Sequence, residues 1–206
     1  MFHPVITLFL LVATSTFLHA QGAEEICPLL PGEAVPMATV RTVEGVETTL
    51  SEILSGKMTL LIFYRGGWCP YCNRHLAELQ EIEPQLLELG YQIIAISPDR
   101  PEKLAPAVAE NDLNYRLFSD SRLAAAQAFG LAFTVEKKVV DRYRTMEIDL
   151  EEASGESHHM LPVPAAYLID STGTILFSYV NPNYRVRVPV SVILAAAEAG
   201  VGVSEE

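Results

Sequence analysis

The chain is short of positive charge and of cysteine. Its 206 residues include 14 Lys and Arg against 26 Asp and Glu, which gives a formal net charge of −12 with no basic run to offset it. An acidic surface repels nucleic acid and anionic lipid, so neither is an expected partner. Three cysteines are too few to hold a small fold together by disulfide bonds. The sequence therefore predicts a domain that is stabilised by an apolar core.

Asp, Glu, Lys and Arg are all absent from the first 20 residues. Residues 5–18 form an apolar stretch that is too short to span a bilayer, and small residues follow it. This pattern is typical of a signal peptide, residues 1–20, with cleavage after Ala20 or Ala23, and it predicts a periplasmic or extracellular protein. The alternative is an uncleaved segment that anchors the protein in a membrane. The remaining chain, residues 27–200, has the length of one domain.

The most specific motif is Trp68-Cys69-Pro70-Tyr71-Cys72. Two thiols at this spacing can close into a disulfide and reopen, which moves two electrons. An apolar run of strand length precedes the motif and a helical pattern follows it, so Cys69 is predicted at the N-terminus of a helix. Helix-end N–H groups favour a thiolate there. We therefore predict that Cys69 is the nucleophile and that Cys72, one turn further, is the resolving thiol.

Two other interpretations of the cysteine pair remain. A zinc site needs two more ligands, and neither Cys27 nor the adjacent His158 and His159 supplies the usual spacing. The pair is otherwise two inert core residues. We expect no metal and no cofactor beyond the redox-active disulfide. Cys27 is read as passive, with a resolving or an intermolecular role as alternatives.

Several side chains near the motif are candidate supports. Arg65 lies four residues before Cys69, and it is either a positive charge that lowers the pKa of Cys69 or a solvated loop residue. His75 lies one turn beyond the second cysteine and is either a proton shuttle or, as we favour, a surface histidine. Arg185 and Arg187 alternate along an extended segment, so they bind an anionic group or are solvated. Pro70 and Tyr71 are expected to tune the reduction potential.

The rest of the chain alternates strand-like and helix-like patterns, which indicates an α/β fold with a central parallel sheet flanked by helices. Strands are predicted at residues 58–64, 91–96, 115–118, 163–170 and 174–180. The helix after the motif is expected to extend to Gly90, with a kink or an interruption at Pro84. A short helix that Ser51 begins precedes the first of these strands. Residues 131–160 break the rhythm and are read as an insertion that covers the redox motif.

The chain resembles the thioredoxin-like superfamily, specifically its peroxiredoxin-like branch (alkyl hydroperoxide reductase and thiol-specific antioxidant, or redoxin). The likeness extends from about residue 29 to 199 and depends on residues 30–36, the redox motif, residues 117–120 and residues 163–170. It implies a thioredoxin-like fold, in which a central mixed sheet is flanked by helices, with the insertion before the last strand pair. It also implies a cis bond before Pro164, which would present the backbone of Val163 to an incoming peptide or thiol.

The sequence departs from the peroxiredoxin pattern at each accessory position. With Cys69 as the peroxidatic residue, the usual Pro is Ile62, the usual Thr is Gly66, and the usual later Arg is Pro164. The missing groups would polarise and align a peroxide. Thioredoxin's buried carboxylate would fall at Phe63, so a different base must serve.

Three functions are compatible with these residues. The first is an exported thiol–disulfide oxidoreductase that acts on a protein or small-molecule disulfide or thiol partner. The second is a thiol peroxidase in which Cys69 reacts with a hydroperoxide and Cys72 condenses with the sulfenate. The third is a binding module whose cysteine pair is only structural.

Overall fold

The computed structural model describes residues 22–110 and 113–203, so the predicted signal segment lies outside the described residues. After a 3₁₀ turn at Ala23–Glu25, these described residues form nine strands and seven helices. The strands are β1 (Thr39–Arg41), β2 (Glu47–Thr49), β3 (Thr59–Phe63), β4 (Gln92–Ser97), β5 (Arg116–Ser119), β6 (Ala132–Thr134), β7 (Met160–Pro162), β8 (Ala165–Ile169) and β9 (Ile175–Val180). The helices are α1 (Leu50–Leu54), α2 (Pro70–Glu88), α3 (Pro101–Glu110), α4 (Ala124–Ala128), α5 (Lys137–Thr145), α6 (Leu150–Ser154) and α7 (Val190–Val203).

Seven strands form one mixed sheet in the order β2-β1-β5-β4-β3-β8-β9. Strands β3, β4 and β5 are parallel, whereas β8 is antiparallel to both β3 and β9. The predicted fold class, a central mixed sheet flanked by helices in the thioredoxin-like manner, is confirmed. Within the described residues, no helix has both the length and the apolar character that a membrane span requires.

Strand β3 is central because both of its faces are buried. Leu60 and Ile62 pack into a core with α2 and α7, and Leu61 and Phe63 pack into a second core that contains Phe129. A strand that is covered on both faces has a continuous apolar sequence instead of an alternating one. The end of β3 is therefore held firmly, and the redox motif begins at that end.

Helix α2 ends at Glu88, two residues before the predicted end, and is more regular than the sequence suggested. It runs without interruption through Pro84, so the predicted interruption there is wrong, whereas a kink stays a prediction. Its apolar stripe, Leu76, Leu79, Ile82 and Leu86, is buried on both sides of the proline. Packing of an amphipathic face provides most of a helix's stability and here outweighs the loss of one backbone hydrogen bond.

The N-cap of helix α1 lies two residues earlier than predicted. Thr49, not Ser51, is the N-cap, and its hydroxyl accepts from the Glu52 N–H at 3.2 Å while the Glu52 carboxylate accepts from the Thr49 N–H at 2.8 Å. This reciprocal pair is a capping box, a stronger start than a serine alone.

The insertion, residues 131–160, folds back on the redox motif. Strands β6 and β7 pair with each other outside the main sheet, and α5 and α6 lie between them in the chain. Val135, Val140, Leu150 and Leu161 form a small core of their own, against which Trp68 packs. The expectation that this segment covers the motif is confirmed.

Candidate active site

Cys69 lies between the end of β3 and the start of α2. It is the N-cap of the helix, and Pro70 occupies the first helical position, where a missing N–H has little cost. The Cys69 carbonyl accepts from the N–H of Cys72 at 2.9 Å and from that of Asn73 at 3.1 Å. The predicted location of the first cysteine at a helix start is confirmed. The backbone N–H of Cys72 and the positive end of the helix dipole both favour negative charge on the Cys69 sulfur.

The two thiols differ in acidity. The hydrogen bond from the Cys72 thiol is the largest influence that lowers the pKa of Cys69 to about 6. The pKa of Cys72 is raised well above its usual value, first by burial and then by donating that hydrogen bond. Both cysteines are free thiols and only 1% exposed. Near neutral pH, Cys69 is therefore a thiolate and Cys72 a thiol, as a nucleophile and a resolving residue require.

Two guanidinium groups lie close to the sulfurs. Nη2 of Arg187 is 3.3 Å from the Cys72 sulfur, and its charge lowers the pKa of both cysteines. Arg65 is 5% exposed, with its Cζ 5.0 Å from the ring centroid of Trp68 and 4.1 Å from that of Tyr184. Interpreting Arg65 as a solvated loop residue is therefore wrong.

Aromatic rings surround these charges. The centroids of Trp68 and Tyr143 are 5.7 Å apart, as are those of Tyr71 and Tyr184. Arg185 is exposed, and its Cζ lies 6.0 Å from the Tyr71 ring. Trp68 and Tyr71 of the motif are thus held by residues from two distant segments, the insertion and the chain after β9.

Asp99 is a site residue that sequence reasoning missed. It follows β4, the parallel neighbour of β3, and it is 2% exposed. One carboxylate oxygen accepts from the Gly67 N–H at 2.7 Å and from the Ser97 hydroxyl at 3.0 Å. Burial raises the pKa of Asp99 to about 6, and the Cys69 charge adds to this rise. The carboxyl ends of parallel strands meet at one edge of a sheet, which is the signal that could have found it.

Gly66 explains why the usual peroxiredoxin threonine has no place here. Its φ is +136°, a value that L side chains rarely adopt. A β-carbon at this position would clash with Nε1 of Trp68 and would lie 2.7 Å from Oδ1 of Asp99. The turn before Cys69 is therefore built around glycine, tryptophan and aspartate.

His75 is buried instead of exposed, so the favoured surface interpretation is wrong. It is 5% exposed, and burial, followed by the charge of Arg187, lowers its pKa to about 4. The residue belongs to the same helical stripe as Cys72 and Leu76, a spacing that places all three against the core. The ring is neutral near pH 7, and a proton-shuttle role for it stays a prediction.

Pro164 does not have the expected geometry. The described residues contain no cis peptide bond, so the predicted cis bond between Val163 and Pro164 is wrong. Val163 is fully buried and donates its N–H to the Leu131 carbonyl at 2.9 Å. The insertion therefore already uses the backbone group that was expected to meet a substrate. A docking role for Val163 itself stays a prediction.

His158, His159 and Cys27 form hydrogen bonds with residues other than Cys69 and Cys72. Nε2 of His158 is 2.8 Å from the Ser121 carbonyl oxygen, and Nε2 of His159 is 2.6 Å from Oε1 of Glu151. Within residues 22–110 and 113–203, no group of three His, Cys, Asp or Glu side chains is arranged to hold a metal. Cys27 is exposed, and its N–H bonds to the Gly130 carbonyl.

Comparison with known proteins matches this chain to redox families. Residues 31–178 match the AhpC/TSA family. A putative peroxiredoxin bcp of Haemophilus influenzae is 33% identical over 115 residues, 56% of this chain and 72% of that protein. The thiol-disulfide oxidoreductase ResA of Geobacillus thermodenitrificans is 28% identical over 171 residues, 83% of this chain and 81% of that protein.

Solved structures agree on the fold. Reduced Prx3 of Vibrio vulnificus has a TM-score of 0.67 at 19% identity over 82% of this chain and 99% of that chain. Peroxidoxin BcpB of Mycobacterium tuberculosis has a TM-score of 0.63 at 18% identity over 82% of this chain and 96% of that chain. The family match, the fold and the Cys-x-x-Cys turn agree, and this chain belongs to the AhpC/TSA family of thiol-dependent oxidoreductases.

Proposed function

We propose that the protein is an exported thiol–disulfide oxidoreductase that cycles Cys69 and Cys72 between dithiol and disulfide. The observation that carries this proposal is the split in acidity between the two thiols, with the pKa of Cys69 lowered to about 6 and that of Cys72 raised. A single buried thiol in an inert core has no reason to be ionised at neutral pH. Export rests on the predicted signal segment alone.

The reaction proceeds in two exchanges. The Cys69 thiolate attacks one sulfur of a substrate disulfide, the substrate's S–S bond breaks, and the departing thiolate takes up a proton. Cys72 then loses its proton and attacks the Cys69 sulfur, which releases the second substrate thiol and leaves the Cys69–Cys72 disulfide. The substrate gains two electrons, and the same steps in reverse oxidise a dithiol.

Arg187 fits the second exchange. Deprotonation of Cys72 is difficult because burial raises its pKa. A guanidinium 3.3 Å from the Cys72 sulfur stabilises the thiolate as it forms. Since the sulfurs are 1% exposed, a substrate reaches them only when the side chains over the turn move aside. Tyr184 and Arg187, both on the segment between β9 and α7, are the side chains we expect to move.

Peroxide reduction is the second candidate, and the relatives named peroxiredoxin favour it. Against it, the accessory positions hold Ile62 in the core of β3, Gly66 in the strained turn, and Pro164. None of these side chains donates a hydrogen bond to a peroxide oxygen. We therefore rank disulfide exchange first.

One assay set separates the candidates. Fully reduced protein with Cys27→Ser is mixed with glutathione disulfide or with hydrogen peroxide, and thiol loss is timed. We expect faster loss with the disulfide, abolished by Cys69→Ser, and a trapped mixed disulfide in Cys72→Ser. Faster reaction with peroxide would reverse our ranking. No reaction with either oxidant would favour a binding module with an inert cysteine pair.

A further inference from the structure

A cavity of about 220 Å³ opens beside the redox turn. Its wall is mostly apolar and aromatic and includes Phe133, Val139, Tyr143 and Pro164. Arg65 also lines the cavity, and its guanidinium is close enough to Cys69 to lower the pKa of that thiol. Arg65 therefore connects the cavity with the redox site, and the insertion builds much of the cavity wall.

Arg65 has no carboxylate partner among the described residues, and the anionic group that its charge stabilises is the Cys69 thiolate. It is 5% exposed, and its neighbours are the rings of Trp68, Tyr143 and Tyr184 and the hydroxyl of Tyr143, to which it donates a hydrogen bond. Within residues 22–110 and 113–203, no carboxylate lies within 4.0 Å of its guanidinium nitrogens. Cation–π contacts are worth roughly 0.5–2 kcal/mol each, whereas an unpaired buried charge is far more costly.

The carboxylates nearest to the cavity do not supply that partner. Glu136 lines the opening, but its carboxylate pairs with Lys138 at 2.6 Å. Glu24 also lines the cavity and is exposed to solvent. Most other cations of this acidic protein meet a carboxylate on the surface, as Lys103 does with Glu152 at 2.6 Å. Arg65, by contrast, is buried, faces a cavity and meets no carboxylate.

We propose that this cavity binds the carboxylate-bearing end of a small disulfide or thiol substrate, with Arg65 as the partner of the carboxylate. The inference rests on the proposed exchange chemistry and specifies its substrate class: low-molecular-weight acidic disulfides. The planar guanidinium donates one hydrogen bond to Tyr143 and keeps further N–H donors for a carboxylate. The apolar wall then contacts the carbon chain between that carboxylate and the reacting sulfur.

Three dialkyl disulfides that differ mainly in charge test the proposal. They are 3,3′-dithiodipropionate, a dianion; bis(2-hydroxyethyl) disulfide, which is neutral; and cystamine, a dication. Rates of oxidation of the reduced protein are divided by the rates of a free small thiol with the same disulfide. We expect the dianion to react at least about tenfold faster than the neutral compound and the dication to be slowest. Equal normalised rates would overturn the proposal.

Two variants and a matched control assign the preference to the cavity. Arg65→Gln should lose most of the preference for the dianion, whereas Arg142→Gln, which removes the same charge from an exposed position on α5, should keep it. Val139→Phe leaves Arg65 in place but fills part of the cavity, so it should also lose the preference. Retention of the full preference in both cavity variants would overturn the proposal, whatever the stability of either variant.

A binding measurement separates this proposal from the exchange chemistry. Suberate has the chain length of dithiodipropionate but no disulfide, and 1,8-octanediol is its neutral counterpart. Trp68, the single tryptophan, lies 5.0 Å from Arg65, so its fluorescence reports occupancy. We expect suberate to bind and octanediol not to bind, and Arg65→Gln to abolish suberate binding. Failure of suberate to bind would refute the site even if disulfide exchange is active, and binding without any exchange would refute only the proposed reaction.

Discussion

Replacing the resolving cysteine should change the acidity of the nucleophile by an amount that depends on the new side chain. The hydrogen bond from the Cys72 thiol is the largest influence on the pKa of Cys69, which is about 6. A hydrogen bond to a charged group is worth roughly 1.5–3 kcal/mol, and one pKa unit corresponds to about 1.4 kcal/mol. Cys72→Ala removes the donor, so the pKa of Cys69 should rise by about 1–2 units. Cys72→Ser keeps an O–H donor and should raise it by less than about one unit.

The thiolate's ultraviolet absorbance measures this difference without requiring access to the buried sulfur. Both variants are titrated from about pH 4 to pH 10 in a Cys27→Ser background, so that Cys69 is the only thiol left. At neutral pH the alanine variant should hold a markedly smaller thiolate fraction than the serine variant. If both titrate at the same pKa, the helix end alone sets the acidity of Cys69. The division of roles between the two thiols would then lack its physical basis.

Three other changes test neighbouring parts of the account. Arg187→Gln should slow resolution of a mixed disulfide about tenfold, because the Cys72 thiolate that forms loses a guanidinium 3.3 Å away. The control Arg122→Gln, at an exposed position, should leave the rate of resolution unchanged. Quenched-flow mass spectrometry measures this rate, and an unchanged rate in Arg187→Gln would contradict the assignment. Gly66→Ala should lower the free energy of unfolding in urea by at least about 2 kcal/mol. The control Gly90→Ala should lower it by roughly 1 kcal/mol, because Gly90 also has a positive φ but a β-carbon there would meet no neighbouring atom. Equal losses of stability would contradict the claim that close contacts at Gly66 require glycine. Burial raises the pKa of Asp99 from 3.8 to about 6, so the folded state binds this proton more tightly and loses up to about 3 kcal/mol of stability as the pH rises from about 4 to 6. Asp99→Asn should lack that part of the decline, and an identical pH dependence of unfolding would contradict the burial argument.

The redox turn was predictable because its signals are local. The two cysteines, the apolar strand before them and the helical stripe after them lie within about 30 consecutive residues, and each follows from spacing alone. The buried strands were predictable for the same reason, since they are short apolar runs, but they indicated a parallel sheet, and the mixed sheet was expected only from the family resemblance. The boundaries moved by one or two residues where a cap, as at Thr49, decided the start.

The contacts that complete the site were not predictable from spacing. Arg187 meets Cys72 across 115 positions of the chain, and Asp99 reaches the turn from a neighbouring strand. Sequence periodicity carries no information about such pairs, because tertiary packing sets them. The cis bond before Pro164 was expected from the family resemblance, and the structure shows no cis bond there. The preceding residue, Val163, donates its N–H to the carbonyl of Leu131 in the insertion.

The direction of electron flow depends on the reduction potential of the cysteine pair. The structure lowers the pKa of Cys69, which stabilises the thiolate and therefore the reduced form of the pair. A more stable reduced form raises the reduction potential and makes the disulfide more oxidising. We therefore expect a potential above that of a strongly reducing thioredoxin. A value near or below roughly −270 mV would contradict this expectation.

The central claim is that Cys69 and Cys72 form one reversible two-electron couple. Native protein equilibrated in glutathione redox buffers, then quenched, alkylated and analysed by peptide mass spectrometry, tests it directly. We predict that the Cys69 and Cys72 thiols disappear together along a single two-electron curve, linked to each other, while Cys27 follows separately. Site thiols that stay reduced in every buffer, or that oxidise independently of each other, would contradict the account.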